Sequence, residues 1–255
     1  MFSPALRHRQ KKLAQIAAIK SGKAAAGHTA PPMPDDSEAT SEYQQLLAHL
    51  HNDLRTLHGI QSNEAKAAKK AQMIKAYLPW VEGALAIEEG QAAPQDEIVV
   101  TALIWAIDIR EWELALDLLD HVHKHALQLP ERFHRSPRGL VWSEMADVGI
   151  KEPGSVPVDL MVRAQEGIDE AEDVKDETKA RFYRAVGEAW AKLAEDFDPN
   201  TDTATAGGKP ALVDTALNYM TRALSLDDKV GVKKPIEQLT REARKLADAA
   251  GEKEN

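Results

Sequence analysis

The sequence predicts an all-α protein. Strand signals are nearly absent: the one β-branched run, Ile98-Val99-Val100-Thr101, continues into Leu103, Ile104 and Ile107, a length that favours a buried helix over a strand. Apolar residues recur at helical spacing in segment after segment, with Pro or Gly between them. At 43% hydrophobic and 29% charged, the 255 residues have the composition of a soluble globular chain and can bury a core in one large or two smaller domains.

Residues 7–19 favour helix, with Leu6, Leu13, Ile16 and Ile19 as a thin apolar stripe among Arg and Lys. Residues 21–40 are rich in Ala, Gly, Pro and Ser, contain Pro31-Pro32-Met33-Pro34, and read as a mobile linker. Ser41 can cap the next helix. Tyr43, Leu46, Leu47, Leu50, Leu54 and Leu57 then fall at i, i+3, i+4, i+7, i+11 and i+14, on one helical face. The stripe pauses at Gly59, but Ala, Lys, Glu and Met dominate 64–77. One helix of about 35 residues, roughly 50 Å long, is therefore expected. A helix of that length packs on a returning hairpin arm or on another subunit, which makes its stripe the candidate oligomerisation surface.

Pro79-Trp80 breaks that helix, and a short one over 81–89 leads into a turn at 90–94. Residues 97–109, apolar almost all round, and 111–129, with Ala115, Leu118, Leu119, Val122, Ala126 and Leu129 as a core stripe, form a hairpin that Pro130 ends. Pro and Gly make 131–157 irregular, and a domain boundary is placed there. Helices are expected at 158–172 and 175–197, a polar loop at 198–209, and a last helical pair at 211–226 and 232–250. The pair resembles a tetratricopeptide unit, with small residues where helices cross and Ala223-Leu224-Ser225-Leu226-Asp227 at the turn; one such unit needs a neighbour to cover its face. The regions are 1–40, a basic arm and linker; 41–150, a helical core; and 151–255, stacked helical hairpins.

Net charge is −9, yet residues 1–34 hold Arg7, Arg9, Lys11, Lys12, Lys20 and Lys23 and no acid. This is +6 at one end against −15 elsewhere, a basic arm on an acidic body. Arg7 with Lys11, and His8 with Lys12, lie one helical turn apart and can follow a phosphate backbone; the alternative is a tail that merely solubilises. Lys66, Lys69, Lys70 and Lys75 form a second basic patch, set against the ordinary reading of lysines on an exposed helix face. Arg132, His134, Arg135 and Arg138, around Phe133, form a third, suited equally to holding anions or to capping the preceding hairpin.

Several classes of chemistry are excluded. With no cysteine there is no disulfide, thiolate metal site or cysteine nucleophile. No apolar run reaches about 18 residues and the basic start lacks a signal-peptide core, so no membrane contact and a cytoplasmic location are expected. His121 and His125 share a helical face but have no third ligand at a matching offset, so they read as flanks of the core stripe. Glu166, Asp169, Glu170, Glu172, Asp173, Asp176 and Glu177 are the densest acidic stretch. A two-metal nuclease built on Asp169 and Glu177-Thr178-Lys179 needs adjacent strands, whereas this region reads as helix with a solvated or partner-facing surface. Ala206-Gly207-Gly208-Lys209-Pro210 fails the spacing of a nucleotide-binding loop. No catalytic residue, metal or cofactor is expected.

Five stretches carry a family resemblance: Ser3-Pro4-Ala5-x-Arg7-His8, Glu64-Ala65-Lys66-Ala67-Ala68-Lys69-Lys70, Leu78-Pro79-Trp80-Val81, Trp105-x-x-Asp108 through Leu129-Pro130, and Gly231-Val232-Lys233-Lys234. In this order they span most of the chain, which resembles the small terminase subunit of contractile-tailed temperate phages with cohesive-end genomes. The resemblance implies recognition of the packaging site on double-stranded viral DNA in the host cytoplasm. It also implies assembly into a homo-oligomeric ring and recruitment of the large terminase subunit, which carries the ATPase and nuclease, with 151–255 as the candidate docking region. Members of this kind are often labelled the endonuclease subunit; the residues here support no nuclease centre, so the label is read as belonging to the holoenzyme. Related chains can end in a Lys/Arg-rich tail, whereas this one ends Gly-Glu-Lys-Glu-Asn255, which shifts expected DNA contact to Arg7, His8, Arg9, Lys11, Lys12, Lys20, Lys23, Lys66, Lys69 and Lys70.

Overall fold

The computed structural model describes residues 3–22, 29–35, 38–88, 90–166, 174–198 and 208–251, and among these it is all-α, with eleven helices and no strand. The chain divides into two units, Met1–Pro137 and Arg138–Asn255.

The first unit begins with α1 (Pro4–Ser21), which Ser3 starts by accepting a hydrogen bond from Leu6 N at 3.3 Å, with Pro4 in the first turn. Leu13, Ala14, Ala17 and Ala18 are buried, and α1 packs on α2 (Glu38–His58) and on α4 (Leu78–Leu85). The approach to α4 is close: a Cβ at Gly83 would lie 2.3 Å from the Lys11 carbonyl oxygen and 2.7 Å from Ala14 Cβ. The N-terminal segment is thus a docked helix rather than the free arm its composition suggests. Three alanines supply the contact, and alanine gives a hydrophobic pattern little contrast. Of the linker, 23–28 and 36–37 lie outside the described residues, while 29–35 is tied down where Gln95 N donates to Pro31 O at 2.6 Å.

The single long helix expected over 41–77 is instead two. After α2, Gly59 N and Ile60 N turn back to Thr56 O and Leu57 O at 3.2 and 3.1 Å. Ser62 then starts α3 (Asn63–Met73) by accepting from Ala65 N. Gly59 is a poor helix former and Ser62 a better cap than helix interior, so the break is local chemistry overriding the Ala- and Lys-rich propensity on its far side. One tight turn at Ile74–Ala76 joins α3 to α4.

The centre of this unit is α5 (Glu97–Asp108), where every residue from Ile98 to Ile107 is buried. Asp96 caps it, accepting from Ile98 N and Val99 N at 2.9 and 3.1 Å and from Trp80 Nε1 at 2.7 Å. With α6 (Trp112–Lys124) it makes the hairpin expected from the sequence, and the β-branched run lies inside the helix. Tyr43 against Trp80 and Tyr77 against Trp105 line the aromatic side of the core.

The second unit holds α7 (Pro137–Lys151), α8 (Val158–Arg163), α9 (Asp176–Glu195), α10 (Gly208–Leu226) and α11 (Lys233–Gly251). Trp142 stacks on Phe182 at 4.4 Å and donates from Nε1 to Ala164 O at 2.9 Å. α9 and α10 cross at Gly187, where an added Cβ would meet Met220 Cγ at 2.7 Å and Ala216 O at 3.2 Å. The shared core of α9, α10 and α11 contains Ala180, Leu212, Val213, Ala216, Met220, Val232 and Leu239. α9 and α10 thus meet at small residues, Gly187 against Ala216, and α11 packs on α10.

Candidate nucleic-acid interface

On α1 the small residues turn inward and the cations turn outward or sideways. Arg9 donates to Glu38 Oε1 and Glu42 Oε2, both at 3.0 Å, and Gln10 Nε2 donates to Glu42 Oε1 at 3.0 Å. Glu42 is buried, so these bonds satisfy a carboxylate that otherwise lacks a partner away from water. Lys11 Nζ lies 3.5 Å from Glu82. Two of the predicted DNA cations therefore hold α1 in its seat.

The others are differently placed. Arg7, His8, Lys12 and Lys20 are exposed, and no carboxylate among the described residues pairs with them; Lys12 donates to Gln15 at 3.1 Å. Lys23 lies outside the described residues. On α3, Lys70 pairs with Asp108 at the end of α5, while Lys66 and Lys69 are half-exposed with no described carboxylate partner. The arrangement presents fixed positive charge, suited to holding phosphate oxygens.

Beside these cations lies a feature that the sequence showed only as a thin stripe. Ile16 and Ile19 of α1 are 39% and 59% exposed, next to Lys12 and Lys20 along the helix. Conversely, the candidate oligomerisation stripe faces inward: Tyr43, Leu46, Leu50 and Leu57 are buried within their own unit, and Leu47 and Leu54 are half-buried. Tyr43 OH also accepts from Glu97 N at 3.0 Å, and burial pushes its pKa up.

The remaining sequence candidates resolve individually. Arg138 is buried and donates from Nη1 to Ala164 O at 2.8 Å and Glu166 O at 3.2 Å, closing the chain that follows α8. Arg132 and His134 are exposed, with Arg132 5.0 Å above the Phe133 ring. His121 is buried, its ring 4.6 Å from that of His125; burial pushes the pKa of His121 down to about 3 and lowers that of His125. Among the described residues no three His, Asp or Glu side chains form a metal-ligating group. Asp169, Glu170, Glu172 and Asp173 lie outside the described residues, whereas Asp176 and Glu177 are exposed in the first turn of α9.

Of the stretches carrying the family resemblance, 78–81 and much of 105–130 fall on core positions of the first unit, whereas 3–8 and 64–70 lie on its surface and 231–234 belongs to the second unit. Trp80, Val81 and Trp105 are buried, and Asp108 holds Lys70. Similarity to other proteins bears on these stretches directly. The sequence pattern of the phage small terminase subunit family matches residues 47–177, about half of the chain. The chain is also 31% identical over 247 residues to the protein named terminase, endonuclease subunit, of Escherichia phage P2, covering 96% of this chain and 87% of that one. No solved structure matches. A family pattern over residues 47–177, which include the buried Trp80 and Trp105, and a relative aligned along nearly the whole chain agree: this chain belongs to the phage small terminase subunit family.

Proposed function

We propose that the chain recognises the packaging site on double-stranded viral DNA in the host cytoplasm, self-assembles, and recruits and regulates a large subunit carrying the ATPase and nuclease. The observation that carries the DNA reading is the set of exposed basic side chains on α1, Arg7, His8, Lys12 and Lys20, with no carboxylate partner among the described residues, in a chain of net charge −9. Lys66 and Lys69 extend it. In this reading residues 1–40 contact DNA, 41–150 build the core of the assembly, and 151–255 dock the large subunit. No helix among the described residues is long and apolar enough to cross a membrane.

The test is the full chain with Arg7, Lys12 and Lys20 changed to Gln, which removes charge but leaves Arg9 and Lys11 to hold α1. Affinity for a cohesive-end duplex should fall at least tenfold. The slope of log affinity against log salt should become shallower by about 2–3, since each neutralised phosphate accounts for roughly 0.9 of that slope. Unchanged affinity and slope would overturn the assignment. The name of the phage P2 relative raises a second reading, cleavage by this subunit itself. Its check is incubation of the purified chain with Mg²⁺ or Mn²⁺ and cohesive-end DNA: cutting that Glu177→Ala abolishes would establish it.

A further inference from the structure

The last helix carries a charge pattern that its own packing does not require. Along α11, Ile236, Leu239, Ala243 and Leu246 turn toward α9 and α10. The opposite side exposes Lys233, Lys234, Arg241, Arg244 and Lys245 over about 18 Å of helix, against two exposed acids, Glu237 and Asp248. Glu242 is already held by Lys209 at 2.7 Å, and Arg241 has only a loose approach to Glu237 at 4.0 Å. Lys233, Lys234, Arg244 and Lys245 have no carboxylate partner among the described residues.

Helix stability does not account for the pattern. Lys233 and Lys234 occupy the first turn, which contains no acid and where the helix dipole disfavours positive charge. Protein docking does not fit it either. The core of a protein–protein contact is depleted in charge and anchored by aromatic or aliphatic side chains, and every large apolar residue of α11 points inward. Interfaces with nucleic acid are the opposite, polar and strongly positive, with most contacts going to phosphate.

We propose that the outer face of α11 is a second DNA contact, a phosphate-binding strip without sequence preference, in the unit not assigned to DNA above. It rests on the reading that this chain binds viral duplex. Lys and Arg here neutralise backbone phosphates and release counterions; with no base-edge reader implied, they add affinity and register rather than recognition.

The test uses the full chain with Lys234, Arg244 and Lys245 changed to Gln, a good helix former, with far-ultraviolet circular dichroism confirming unchanged helix content. Lys151→Gln with Lys175→Gln, exposed in the same unit, controls for a general loss of charge. Binding to a cohesive-end duplex and to an unrelated one of about 30 base pairs is followed against salt. The α11 variant should weaken both by the same factor, more than tenfold at fixed salt, with a slope shallower by about 2–3. The control should move neither. An unchanged slope overturns the inference, as does a weakening confined to the cohesive-end duplex, which would mean base reading. An assembly that shrinks while the slope stays constant also overturns it, in favour of a protein contact. If the unaltered chain binds neither duplex, the DNA reading of the whole chain falls; if it binds and only the α1 variant weakens, this inference alone falls.

Discussion

Two buried titratable side chains, Asp96 and His121, line one small cavity beneath α1, together with Ala14, Ala17, Trp80 and Ala84. Burial raises the pKa of Asp96 to about 6, although Trp80 and two backbone amides pull the other way, so it is mostly ionised at neutral pH. A raised folded pKa contributes stability that is present below the unfolded value near 4 and lost as pH rises through 6. His121 has the opposite sign: its lowered pKa contributes stability present above about 6.5 and lost progressively as pH falls toward 3. In the window from pH 4 to 6 the two oppose each other. His121→Asn should therefore shift the slope of stability against pH by close to one proton, about 1.4 kcal/mol per pH unit, toward greater stability as pH falls, in urea titrations at pH 6, 5 and 4. Asp96→Ala leaves three buried donors unpaired and should destabilise the chain by about 2–4 kcal/mol at pH 7. The capping role was visible in principle, as an Asp directly before a long apolar run. The Trp80 bond was not, because it joins residues from different elements.

At the level of helices, α1 is where pattern and packing diverge most. Its positive charge was plain in the sequence, but its docking depends on Gly83, which no periodicity distinguishes from a turn glycine. Gly83→Val would drive side-chain atoms into the Lys11 carbonyl and Ala14. We expect reduced hydrogen-exchange protection across α1 and a destabilisation of about 1–3 kcal/mol, the usual range for overpacking. The α2 stripe is legible as a buried face, while its periodicity leaves the partner open between a hairpin arm and a second subunit; within the unit, α1 and α5 supply it. The proposed self-association therefore needs another surface, and the exposed Ile16 and Ile19 are suited to one. If the chain assembles through this surface, Ile16→Ser with Ile19→Ser should reduce its native mass while leaving helix content unchanged, since neither residue is buried in the core.

Across the whole chain, the all-α class was legible because the apolar spacing, the lack of strand signals and the Pro and Gly punctuation all agreed. The last helical pair was legible for the same reason. What stayed hidden was which cations are already occupied: Arg9, Lys11 and Lys70 look identical to Lys12 and Lys66 until the acids opposite them are placed in space. That distinction sets the expected strength of DNA binding. If, in the proposed complex, Arg7, Lys12 and Lys20 each meet one phosphate, the log–log salt slope is about −2.7, and doubling the salt weakens binding roughly sixfold. A fluorescence anisotropy series in salt measures it directly. A slope near zero would place recognition elsewhere.

The seat of α1 on α4 also bears on how the chain is made. α1 leaves the ribosome before α4, whose partner surface at Gly83 and Ala84 is synthesised about 60 residues later. At the usual 5–20 residues per second, α1 waits roughly 3–12 s with its alanine face, Leu13 and its cations all uncovered. During that interval nascent chains on one message carry a sticky basic helix, and polyanions nearby can hold it before the fold does. Closing a contact between the first helix and the fourth is a non-local step and a slow one. Slower decoding of the codons between α1 and α4 should therefore raise the aggregated fraction, whereas slowing within 138–255 should not.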